Sequence, residues 1–149
     1  MEHTIWENES IPNSDNVYCF IHSLANVNPK TGKPRAAAFH NTPKQGDNLS
    51  CDWGKYSTPQ ETKARIGQQY KTGTTEFKNP NLFAIVEFTT GLLRTEEYNQ
   101  QIEHDPIYNN PEIVGIPNNQ AHSIIIGEKD EETRLKMVEL AQWAIPPSV

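Results

Sequence analysis

The chain has 149 residues and a net charge of −6, a length that fits one ordinary domain able to bury about 68–70% of its unfolded surface. Its thirteen Lys and Arg are scattered among nineteen Asp and Glu, which excludes a nucleic-acid backbone as the main partner, because that binding needs clustered cations. Neither a membrane span of ~20 apolar residues nor a signal peptide is readable in it, so a cytosolic protein is expected.

Mean hydropathy is low, −0.72, yet the apolar residues gather into runs separated by Asn, Pro, Gly and Thr, which favours a folded domain with long polar loops over disorder. Residues 1–16 read as a polar N-terminal arm rich in Asn and Pro, and residues 17–149 as one domain. Val17–His22 reads as a strand with Val17, Cys19 and Ile21 on one face. A loop with the turn chemistry of Asn28-Pro29-Lys30-Thr31-Gly32 follows, and Lys30, Lys33, Arg35 and Lys44 read as cations of a solvated loop region. Arg35–His40 and Leu49–Trp53 read as two further short strands.

Thr58-Pro59-Gln60-Glu61 is a helix start: a capping Thr, a Pro at the first helical position and a Glu at the third can satisfy free backbone N–H groups. That helix is expected to reach about Gln69. Leu82–Phe88 is apolar on both faces except for Glu87, which predicts a central strand, continuing past a bend at Gly91 to Arg94. Residues 95–119 read as a long surface excursion with one short strand near Ile102. Ala121–Gly127 reads as a strand feeding a helix from about Asp130 to Ala144, with an apolar stripe of Leu135, Val138, Ala141 and Ile145 and an outer Glu132–Lys136 pair. The order predicts an α+β domain in which a mixed or antiparallel sheet packs on two main helices.

Chemistry-bearing residues fall mostly at strand ends. His122 is a candidate general base or acid, or else a ring whose nitrogen bonds a nearby carbonyl. His40 is a second catalytic candidate, or a strand cap. Asp52 is read as the carboxylate that orients His122, or as the centre of a local turn. Ser50, Glu87, Arg94 and Asn119 are the binding candidates; a carboxylate such as Glu87 among Phe83 and Ile85 is costly unless paired, and Arg94 or Arg65 is its expected partner. Cys19 and Cys51 lack CxxC spacing and read as buried reduced thiols. His40, Cys51, Asp52 and His122 are acceptable metal-ligand types without the local spacing of zinc sites, so no metal is assigned. The glycine-rich phosphate and dinucleotide motifs are absent, and no cofactor is named.

The segments Ala37-Ala38-Phe39-His40, Leu49-Ser50-Cys51-Asp52-Trp53, Ser57-Thr58-Pro59-Gln60-Glu61-Thr62, Phe88-Thr89-Thr90-Gly91-Leu92-Leu93-Arg94 and Pro117–Gly127, in this order and followed by Ala141-Gln142-Trp143, resemble a family of small bacterial proteins without an established activity. The resemblance runs from about Tyr18 to Trp143; it implies a bacterial origin and a single domain, and it transfers no catalytic residue. More distantly, the order His22, Ser50, Glu87 is similar to that of ADP-ribosyl transferase-like folds, which implies NAD as a co-substrate. Glu87 departs from that pattern by lying inside a hydrophobic run.

The leading expectation is a binding protein that takes a protein partner or small ligand in an operon-encoded bacterial system. The alternative is a small enzyme acting on a nucleotide-like or phosphorylated substrate, in which His122, Asp52 and His40 meet around a shared hollow.

Overall fold

The structure is a computed structural model that describes residues 6–42, 47–109 and 116–148. Lys44, one of the four loop cations, lies outside the described residues. β1 (Asn16–His22), β2 (Leu49–Trp53), β3 (Phe83–Thr89), β4 (Gln101–His104), β5 (His122–Ile126) and β6 (Gln142–Ile145) form one sheet in the order β4-β5-β2-β1-β3-β6. Every pairing is antiparallel, so of the two sheet types expected the antiparallel one is realised. α1 (Pro59–Ile66) and α3 (Glu131–Leu140) are the two main helices, with a single turn, α2 (Thr90–Leu93), between β3 and β4.

Strand alternation divides the residues between two faces. One face carries Val17, Cys19 and Ile21 of β1 with Cys51 and Trp53 of β2, Val86 and Phe88 of β3, Ile102 and Ile125. Phe39, Leu93, Met137 and Ile11 complete this main core. On the other face α1 packs against β3 and β1, burying Ile66 and Ile85 completely. β3 is thus apolar on both sides, as a strand between two covered faces must be.

α1 begins at the expected capping box: Thr58 Oγ1 accepts from Glu61 N at 3.1 Å and Glu61 Oε1 from Thr58 N at 3.0 Å. It ends at Ile66, earlier than expected, because Gly67, Gln68 and Gln69 donate to carbonyls three residues back and the chain tightens out of α geometry.

Three expected elements differ. Arg35–His40 is not a strand: Ala36–Phe39 forms a 3-10 turn, since three alanines give a strand nothing to pack and a turn delivers Phe39 into the core, edge-on to Phe88 at 5.4 Å. β3 does not continue to Arg94. Thr90 and Gly91 donate their N–H groups to Asp15 O and Asn13 O of the arm, and the chain coils as α2. The last helix stops at Leu140; Ala141 is extended, and Trp143 and Ile145 pair with Val86 and Ile85 as β6. The expected stripe is realised in part: Val138 and Ala141 pack against the core, but Met137 is the buried residue of α3 and Leu135 is 51% exposed. The Glu132–Lys136 pair is present at 3.5 Å, as is the short strand at Ile102.

Residues 6–15 carry neither helix nor strand but are tied to the sheet. Asn8 Nδ2 donates to His104 O at 2.6 Å, Arg94 donates to Ile11 O and Ile102 O at 2.7 and 2.9 Å, and Trp53 Nε1 donates to Asp15 Oδ2 at 2.9 Å.

Candidate functional site

β2 and β5 run antiparallel with Ser50 opposite Ile124 and Asp52 opposite His122. Facing residues share a side of the sheet, so Ser50, Asp52 and His122 project toward the α1 side while Cys51 and Ser123 project into the main core. His122, 6% exposed, has both ring nitrogens engaged. Nδ1 lies 2.8 Å from the Asp105 carbonyl oxygen and 3.7 Å from its carboxylate. A carbonyl only accepts, so Nδ1 carries the proton, and Nε2 of the neutral ring is left to accept from the Ser50 hydroxyl at 3.2 Å. The result is a hydroxyl bonded to an imidazole whose other nitrogen is held by a backbone carbonyl, with the Asp105 carboxylate 3.7 Å away.

Asp52 is 8% exposed and fully occupied. Oδ2 accepts from Arg65 Nη1 at 2.6 Å and from Thr62 Oγ1 at 2.9 Å, and Oδ1 accepts from Asn119 Nδ2 at 2.8 Å. Thr62 in turn shares a 2.8 Å bond with Ser57. Asn119 Oδ1 accepts from Ala121 N, and its backbone pairs both ways with Ile107. Asn119, through side chain and backbone together, therefore holds the 105–107 segment, the start of β5 and Asp52 in one fixed relation, and with them the ring of His122.

Of the residues singled out in the sequence, Ser50, Asp52, Asn119 and His122 come together. Asp52 does not hydrogen-bond His122; it neutralises Arg65, and the residue beside Nδ1 is Asp105, which sequence reasoning passed over. Its only signal was its place at the end of the short Ile102 strand, before Pro106. Arg65 was expected beside Glu87 and instead pairs with Asp52, and Thr62 was read only as part of the capped helix.

His40 stands apart from this group. Its Nε2 accepts from Arg134 Nη1 at 3.0 Å, and the turn that carries it packs on α3 over the main core, the side opposite Asp52. The shared hollow of three residues does not form. Glu87 pairs with neither expected arginine but accepts from Asn16 Nδ2 at 3.2 Å; its charge, together with burial as the larger cause, pushes the neighbouring Tyr18 hydroxyl up from its ordinary pKa. Arg94 clamps the arm as described and also donates to Asn13 Oδ1. His22 accepts from Leu24 N and Ala25 N, the geometry of a turn cap, so the His22, Ser50, Glu87 order gathers no common site.

Two shallow hollows lie elsewhere. One of about 500 Å³ runs between the arm and β4, with Glu9, Arg94, Glu103 and His104 in its wall; the other, about 380 Å³, is bounded by Asp15, Asn16, Tyr18 and Lys55. Neither is lined by Ser50 or His122. His104 in the first is held by Glu9 N donating to Nδ1 at 3.0 Å and by its own Nε2–H reaching Gln120 O at 2.6 Å, with Tyr56 stacked on the ring. Among the described residues no three His, Cys, Asp or Glu side chains cluster as ligands for a metal ion.

Compared with protein-family models, curated proteins and solved structures, the chain matches none. The likeness of its short motifs to small bacterial proteins therefore brings no family assignment and no activity with it.

Proposed function

We propose that this protein is a small serine-dependent hydrolase or acyl transferase in which His122 takes the proton of Ser50 as the hydroxyl attacks a carbonyl carbon. The observation that carries the reading is the Ser50–His122 bond at 3.2 Å with Nδ1 already fixed by Asp105. In that tautomer the ring can accept a proton at Nε2, and the imidazolium that forms lies 3.7 Å from a carboxylate that can stabilise its charge, while a backbone carbonyl does the orienting that a bonded aspartate does in a serine–histidine–aspartate array.

Electrostatics favour a neutral acyl ester over a phosphorylated substrate. Asp105 lies beside the ring and Glu103 shares this side of the sheet opposite Ile124, while the nearby cation, Arg65, is neutralised by Asp52. An anionic group above Ser50 would meet net negative charge.

The test is labelling with a fluorophosphonate, read by intact mass and peptide mapping, alongside turnover of short-chain acyl esters. One adduct on Ser50, lost in Ser50→Ala and in His122→Gln, is the expected result. Absence of label on Ser50, with ester turnover equal to that of Ser50→Ala, removes the reading.

The second reading is the partner-binding protein of the bacterial cytosol, favoured by the exposure of Leu24, Phe77 and Leu82. Leu24 and Leu82 are neighbours, since Ser23 N donates to Leu82 O at 2.8 Å. Co-purification from a host expressing the adjacent genes tests it, and a strictly lone monomer that Leu24→Asp leaves unchanged counts against it.

A further inference from the structure

β1 pairs with β3 along all seven of its residues but with β2 only at Val17↔Trp53 and Tyr18↔Asp52. The pairing ends there; carried on by one position, the same register would set Cys19 against Cys51. Both are free and buried on the main-core side.

Gly54 N donates to Asn16 O, which makes Val17↔Trp53 a non-hydrogen-bonded pair and, two positions on, makes Cys19 and Cys51 the same kind. In a regular ladder such pairs have Cα atoms about 4.5 Å apart. Disulfides accept about 4.4–6.8 Å, so the seam can spread by roughly two ångströms beyond Asp52 and still admit a bridge.

Lys129 is the third member of the cluster. It is buried, its Nζ held by Asn41 Oδ1, Ile125 O and Gly127 O at 2.5, 2.9 and 3.0 Å; its positive charge favours the thiolate form of both cysteines, but burial, the larger cause, pushes Cys19 up to about 12 and Cys51 well above its ordinary 9.0.

We infer that Cys19 and Cys51 are a disulfide-forming pair oxidised by hydrogen peroxide, a reactant small enough to reach a packed core. One thiol sulfur attacks a peroxide oxygen, the O–O bond breaks, and the cysteine becomes a sulfenic acid as the displaced hydroxide leaves as water with that thiol's proton. The second sulfur then attacks the first, the S–O bond breaks, and the hydroxide leaves as water with the second thiol's proton. In sum, two thiols lose two electrons and two protons, and one peroxide becomes two waters. This inference is independent of the role given to Ser50, although the bridge would anchor the residue between Ser50 and Asp52.

The test uses the full reduced chain treated with dilute hydrogen peroxide, quenched, denatured and alkylated with iodoacetamide. The expected product has an intact mass lower by two hydrogens, carries no alkyl group and yields one cross-linked peptide joining Cys19 to Cys51; dithiothreitol restores two alkylatable thiols. Full double alkylation, two separate sulfinic acids, or pairing only between chains overturns the inference. In Cys19→Ala, Cys51 should be trapped by dimedone as a sulfenic acid; should that variant not fold, the cross-link map of the parent chain decides alone.

Discussion

Replacing Asp52 with Ala removes the acceptor of three hydrogen bonds at once and leaves Arg65 facing Thr62 and Asn119 without its counter-charge. Breaking one member of a buried pair costs about 3–5 kcal/mol. The side chains of Arg65 and Asp52 are 17% and 11% exposed, so some water reaches the stranded guanidinium and the lower figure, about 3 kcal/mol, is expected. At roughly 3 °C per kcal/mol for a domain of this size, the midpoint should fall by ~9 °C. Urea denaturation at pH 7 measures the free energy and thermal unfolding the shift. The double variant with Arg65→Ala should recover at least about 1 kcal/mol relative to the sum of the single changes, because the uncompensated cation is then gone. A loss below about 1 kcal/mol in Asp52→Ala, or strict additivity, would refute the view that Asp52 is the keystone joining α1, β2 and Asn119.

Alkaline stability should show two opposed slopes. Burial pushes the Cys19 thiol up to about 12 from its ordinary 9.0, with the Asp52 charge adding to it; the folded chain keeps a proton that the unfolded chain releases, so stability falls between about pH 9 and pH 12 by about 1.4 kcal/mol per unit for that thiol. Lys129 acts the other way: burial lowers it from 10.5 to about 8, the unfolded chain binds the extra proton, and stability rises across that window. Urea midpoints measured against pH under reductant should fall less steeply in Cys19→Ala and more steeply in Lys129→Met; parallel curves for all three proteins would contradict the assignment. Gly91→Ala would set a Cβ 2.8 Å from Asn13 Cβ and 2.9 Å from Asn13 O, an overpacking that should cost about 1–3 kcal/mol and raise protease cleavage in residues 6–15; unchanged stability and cleavage would deny that this contact is tight.

How much of the molecule was readable depended on whether the information was local. The capping box at Thr58 and the alternation of Val17, Cys19 and Ile21 involve residues a few positions apart, and both appear where the sequence puts them. Trp143 and Ile145 continue a helical spacing perfectly well on their own. What converts them to β6 is the unfilled edge of β3, a partner more than fifty residues away that periodicity cannot register. The Arg35–His40 stretch fails for a related reason, since its three alanines state no preference and Phe39 goes where the core has room. At the site, Ser50, Asp52, Asn119 and His122 were identified by chemical type, but their division of labour was not. Whether Asp52 or Asp105 meets Nδ1 depends on cross-strand register and on the course of the 105–107 segment, both settled only by the tertiary fold.

The tie between the arm and β4 bears on how this molecule behaves in a crowd. β4 is the outermost strand on its side, and the carbonyls of Ile102 and His104 are occupied by Arg94 and Asn8. An outer strand with vacant acceptors is a template on which further copies can stack into aggregates. Here the side chains of Asn8 from the arm and Arg94 from the end of α2 fill two places that a neighbouring polypeptide would seek, and so guard this edge against fibril-like growth.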